Sequence, residues 1–197
     1  MDVLNVPAKR RVPPHRRIGV FLLMLNAWIL AAPAGSVAQA KTVAEYQLRA
    51  AFVYNFAKFV EWPRESFEAA DSPIQVCIAG EASVAEAFQH VLGSKTVDKR
   101  ELIVLRLTKP GVPGNCQILY HAGDSKNFPL AAFLVTGDVL SVGESEEFAA
   151  RGGMIRLLRE ADRLRFVIYR ENVERSHLKV SSKLMALSAE RSKSADK

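Results

Sequence analysis

The chain carries 27 Lys+Arg against 21 Asp+Glu over 197 residues, a formal +6, but five of the basic and one of the acidic residues lie in the first forty. The remaining 157 residues hold 22 and 20, net +2, with no Lys/Arg block interleaved with aromatics, which argues against a nucleic-acid-binding surface. That length is enough for one domain to bury its own core without metal or oligomer help.

The first forty residues read as a secretory signal peptide. Lys9, Arg10, Arg11, Arg16 and Arg17 make a basic start, and Ile18 to Leu30 is a thirteen-residue run broken only by Gly19 and Asn26. Small residues follow, ending Ala38-Gln39-Ala40. The competing reading is a membrane anchor. Thirteen residues rise only about 20 Å as a helix, short of the roughly 30 Å hydrocarbon core. Cleavage after Ala40 and a periplasmic, unanchored product are expected.

A helix is predicted next, opened by a Thr42-x-x-Glu45 capping box and ended by Pro63. From Ala50 to Phe56 its only polar side chain is Asn55. A helix apolar almost all round must be covered on both sides. The simpler reading is a central core helix; the sharper one is core on one side and a protein interface on the other. Trp62 beside Pro63 reads as a packed helix end rather than a ligand-stacking platform.

Ile74 to Ala79 is a short apolar, β-branched run, predicted as a buried strand and broken by Gly80. Ser83-x-x-Glu86 is a second capping box, and Val84, Ala87, Phe88, Val91 and Leu92 recur at helical spacing before Gly93. Leu102 to Leu107, Cys116 to Tyr120 and Val139 to Val142 are predicted as strands. Lys109 to Asn115, rich in Pro and Gly, is a loop. Leu130 to Val135 is assigned a short helix and Glu144 to Ala150 a helical turn, with Glu144, Glu146 and Glu147 at its solvated start. Gly152-Gly153 before Met154 reads as a bulge or tight strand start, the alternative being close approach of a ligand to the backbone.

Met154 to Arg159 and Arg163 to Tyr169 suit a hairpin with one wetter face. Asn172 is placed as the cap of a short helix reaching His177, and a last amphipathic helix runs from Ser181 to about Arg191. The whole predicts a single-domain α/β sandwich over residues 41–191. Its mixed sheet has about five to six strands flanked by helices, closed by a C-terminal hairpin and helix. The polar stretch 192–197 is expected to be a disordered tail.

The two cysteines, Cys77 and Cys116, lie in predicted strands of an exported chain. Two such cysteines usually pair, and the alternative is two separate buried thiols. Beyond the signal segment only His90, His121 and His177 remain. No pair of them has metal-ligand spacing, and there is no C-x-x-C, G-x-S-x-G, G-x-G-x-x-G or P-loop. The residues alone therefore predict an exported domain that is not an enzyme and holds no cofactor.

A resemblance adds to this. Glu45-Tyr46-Gln47-Leu48-Arg49-Ala50-Ala51-Phe52 and Tyr54-Asn55-Phe56-Ala57-Lys58-Phe59-Val60-Glu61-Trp62-Pro63 resemble the opening of the YfiR family of periplasmic proteins. Gln75-Val76-Cys77-Ile78-Ala79-Gly80, Lys95-Thr96-Val97, Asn115-Cys116-Gln117-Ile118-Leu119-Tyr120, Val139 to Glu144, Gly152-Gly153-Met154-Ile155 and Leu178 to Leu184 follow in the family's order. The resemblance implies a homodimeric, non-catalytic repressor that binds the periplasmic domain of an inner-membrane diguanylate cyclase and lowers cyclic-di-GMP and biofilm formation. It places Cys77 and Cys116 on a structural disulfide. A second cysteine pair of the well-known member has no counterpart here, since Phe148 to Arg156 contains no cysteine. Tyr54 and Ile155 are named as partner-binding candidates. The alternative function is a periplasmic small-molecule-binding module serving another membrane receptor or sensor kinase.

Overall fold

Continuous apolar runs make the centre of the molecule, because a strand buried on both faces needs no polar alternation. The structure, a computed structural model, describes residues 35–108, 115–123, 128–135 and 137–189. Most of the expected signal peptide, 1–34, and the tail from 190 onward lie outside the described residues. Strand β2 (Ile74–Ala79) is buried at five of its six positions, as its sequence predicts. It pairs in parallel with β4 (Arg100–Arg106) on one side and β5 (Ile118–His121) on the other. Beyond β5 come β6 (Leu140–Gly143) and β7 (Ile155–Glu160), both parallel, then β8 (Arg163–Ile168), antiparallel to β7. A two-residue β3 (Thr96–Val97) closes the other edge against β4. The sheet has seven strands in the order β3-β4-β2-β5-β6-β7-β8, slightly more than expected. A separate ladder joins β1 (Val60–Glu61) to β9 (Lys179–Val180).

Alternation along the central strands divides the interior in two. Ile74, Val76, Ile78, Ile118, Tyr120, Leu140 and Val142 pack with α1 (Gly35–Ala57) and α2 (Ala82–Leu92). Cys77, Ala79 and Leu119 face the other way, against α3 (Leu130–Leu134) and Phe148 of α4 (Glu146–Ala150). The expected α/β sandwich with a mixed sheet is therefore present, as a single domain from Ala40 on. Two short helices, α5 (Arg170–Glu174) and α6 (Ser182–Ala186), follow the hairpin.

The limits of the helices differ from the sequence expectation. Helix α1 includes Thr42 rather than starting there, and it ends at Ala57, not at Pro63. Val60 and Glu61 are captured by β9, and the Ser181 amide donates to Phe59 O at 2.9 Å, so tertiary pairing ends the helix before the proline can. One face of α1 is buried through Arg49, Ala50, Val53, Phe56 and Ala57, while Leu48 on the opposite side is 48% exposed. The helix is thus covered by its own domain on one side only. Helix α2 starts at Ala82, with Glu81 as an N-cap that makes no side-chain cap bond, so Ser83 caps nothing. Helix α5 is capped by Tyr169, not Asn172. The Asn172 side chain turns inward and donates to Ala149 O at 3.1 Å and Gly153 O at 2.7 Å. Helix α6 ends at Ala186, five residues short of expectation.

Candidate functional site

In a sheet of this topology the usual ligand position is the crevice outside the strand carboxyl ends, where the strand order reverses. The five parallel strands, taken in chain order, lie second-first-third-fourth-fifth, so the reversal falls between β2 and β5. That crevice is closed here. A Cβ on Gly80 would meet Ala122 Cβ at 3.0 Å, the Ala122 amide donates to Ala79 O at 2.9 Å, and Arg106 Nε donates to Gly80 O at 3.3 Å.

Beside it the same edge carries a charged cluster. Glu45 and Arg49, one turn apart on α1, pair with each other. Arg49 Nε also lies 3.5 Å from Glu144 Oε1, within ion-pair range though not hydrogen-bonded. The Tyr120 hydroxyl, at the centre of the sheet, donates to Glu144. Glu45 reaches Arg159 of β7 at 3.5 Å, and Arg156 Nε donates to Glu144 O at 3.3 Å while its Nη1 pairs with Glu146 at 2.7 Å. Burial, then the Glu144 carboxylate, pushes the Tyr120 phenol well above its ordinary range. The hydrogen bond from Arg49 holds Glu45 below the usual carboxylate value. Burial works against the Arg49 charge, but the hydrogen bond to Glu45 and the Glu144 carboxylate outweigh it, so that guanidinium is held above its ordinary value. This cluster binds α1 to β5, β6 and β7. It corrects the reading of Glu144 as a solvated helix start, since that side chain is only 19% exposed, whereas Glu146 at 72% fits it.

The sulfurs of Cys77 and Cys116 are bonded, with their Cα atoms 5.9 Å apart, so the bridge joins the middle of β2 to the approach of β5. Tyr54 is half-buried on α1, its hydroxyl donating to Thr96 O at 3.4 Å and Lys58 Nζ 5.5 Å above its ring. Ile155 is fully buried in β7, between β6 and β8, and offers no side-chain surface to a partner. The structure does not bring these two residues into one patch. Trp62 is packed, though beyond β1 rather than at the end of a helix, its Nε1 donating to Gln117 O at 3.1 Å. Gly153 is required by the Phe148 ring, since a Cβ there would lie 2.2 Å from Cε1.

Two cavities open at the amino ends of the strands. The first, about 300 Å³, runs from the 3-10 turn Arg64–Ser66 past Gln75 and Gln117 to Phe133. Glu65, Glu68 and Asp138 line it, with no Lys or Arg among the described residues. The second, about 290 Å³, lies between α3, the α4–β7 turn and α5. His121 is buried between the Phe128 and Phe148 rings, at 4.5 and 6.0 Å, and His177 Nδ1 lies 2.9 Å from Asp138. Among the described residues no group of three His, Cys, Asp or Glu could hold a metal, and no helix is long and apolar enough to cross a membrane.

No curated protein matches the chain. The YfiR/HmsC-like family matches residues 46–189, from the second residue of the Glu45–Arg49 pair's turn to the end of the described structure. With well over half its length matched, and with the disulfide and the α/β domain in place, the chain belongs to the YfiR/HmsC-like family, periplasmic regulators of diguanylate cyclase signalling.

Proposed function

We propose that the protein represses an inner-membrane diguanylate cyclase by binding its periplasmic domain, and so lowers cyclic-di-GMP and biofilm formation. Family membership supports the class of target. The observation that carries the reading is the one-sided burial of α1. Its inner face is locked into the core, while Leu48, 48% exposed, and the half-buried Tyr54 remain for a partner. Tyrosine is enriched among interface anchors, and Leu48, six residues before Tyr54 and on a different side of α1, adds exposed apolar area. Repression then works as a population shift. The protein must bind the inactive cyclase more tightly than the active one, and a hundredfold preference corresponds to about 2.7 kcal/mol.

Deleting the gene should raise cellular cyclic-di-GMP and biofilm, and the purified protein should capture the cyclase's periplasmic domain. Leu48→Asp should abolish capture without unfolding the protein. Unchanged cyclic-di-GMP after deletion would remove this reading. The two cavities favour a second reading, a small-molecule-binding module serving another membrane receptor or sensor kinase. Tight binding of a metabolite together with unchanged cyclic-di-GMP would select it.

A further inference from the structure

The described residues that line the two cavities at the amino ends of the strands differ in charge type, acidic in the first and basic in the second. The second is lined by Arg151 and Arg175 and by no Asp or Glu among the described residues. Its walls are Ala131 and Leu134 of α3 and Met154 at the start of β7, with Asn172 at the back. Arg175 is held in place by neutral oxygens. Its Nε donates to Glu171 O at 3.1 Å and its Nη2 to Asn172 Oδ1. Asn172, buried, is itself fixed by its two bonds to Ala149 O and Gly153 O. Arg175 forms no ion pair with a described residue, so among these its charge is positioned but not neutralised. Arg151 lines the same cavity and donates from Nη2 to Phe128 O at 2.7 Å.

A guanidinium fork matches a planar carboxylate in two parallel hydrogen bonds, and such a group beside an apolar wall selects an anion with an apolar body. The volume, about 290 Å³, is at the lower end of small-ligand pockets. We propose that this cavity binds a small organic carboxylate. The carboxylate sits on Arg175 and its hydrocarbon lies against Ala131, Leu134 and Met154. No partner protein is needed, so this inference and the cyclase proposal stand or fall separately.

The test is a titration of the purified protein with hexanoate, followed by backbone amide NMR shifts, with 1-hexanol and inorganic phosphate as matched controls. Hexanoate should shift the amides of Ala131, Leu134, Gly152 and Ser176 saturably, and neither control should do so at the same concentration. Arg175→Gln should weaken hexanoate binding at least tenfold, while Arg64→Gln, on the exposed turn before the first cavity, should leave it unchanged. The wild-type shift map stands even if the Arg175 variant folds poorly. No saturable shift with hexanoate, or an unchanged affinity in a folded Arg175→Gln, would overturn the site. Equal binding of inorganic phosphate would overturn the apolar half of the recognition.

Discussion

Glu144 collects more interactions than its place in the sequence suggests. It takes the Tyr120 hydroxyl, lies 3.5 Å from Arg49, and lends its carbonyl to Arg156. Arg49 is 8% exposed, so its charge depends on the two carboxylates beside it, and theirs on it. Removing one member of such a group leaves an uncompensated charge in a poorly hydrated place. Arg49→Met should therefore lose about 3 kcal/mol in urea unfolding. The double variant Arg49→Met/Glu144→Gln should lose less than the two single changes together, because each already removes the other's partner. Additive losses would show that the contact carries little coupling.

At the scale of elements the Cys77–Cys116 bridge spans 39 positions and ties β2 to the start of β5. A closed loop of that length is worth about 4 kcal/mol on the chain-entropy account. Cys77→Ser should lower the melting temperature by an amount consistent with a loss of that order, measured by calorimetry. The chain has only two cysteines, so the change should act on stability and not as a switch between alternative bridges. Strand β2 was legible residue for residue, because an apolar β-branched run between a Pro and a Gly has few other places to go. The ends of α1 were not. Local signals named Thr42 and Pro63, while the pairing of Val60 with Val180 decided the outcome from the far end of the chain. The same limit hid the role of Glu144. Its partners come from β5 and α1, and nothing in the neighbouring residues announces them. The cavity between α3 and α5 was not legible: Gly152-Gly153 reads as a bulge or tight strand start, and Arg175 and Asn172 reach the cavity through packing.

Over the whole molecule the buried phenol and the α1 carboxylate set the pH limits of the fold. Tyr120 is raised well above 10.0 by burial and then by Glu144, with Tyr46 raised for the same reasons in the same order. The folded state keeps these protons where the unfolded chain loses them. Their contribution is whole below pH 10 and is lost as the pH climbs towards the folded values. Glu45 has the opposite sign. Its folded value is depressed below 4.5 by Arg49, so its contribution is present above that pH and lost as the pH falls through the folded value. The melting temperature should hold between these limits and drop beyond each. On the alkaline side Tyr120→Phe should flatten the drop between about pH 9 and about pH 11. An equally steep alkaline fall in that variant would remove Tyr120 from the account.

The bridge also bears on how the chain matures. Two cysteines allow a single intramolecular pairing, so oxidation cannot scramble the molecule, and an oxidant without an isomerase suffices. Cys116 follows Cys77 by 39 residues, with the end of β2, α2, β3 and β4 between them. The crosslink can therefore close only after a central part of the sheet has been made. Before that moment the exposed strand edges of β2 and β4 are guarded by nothing covalent. Each new copy thus has an interval in which speed of oxidation, rather than accuracy of pairing, decides whether it folds or aggregates.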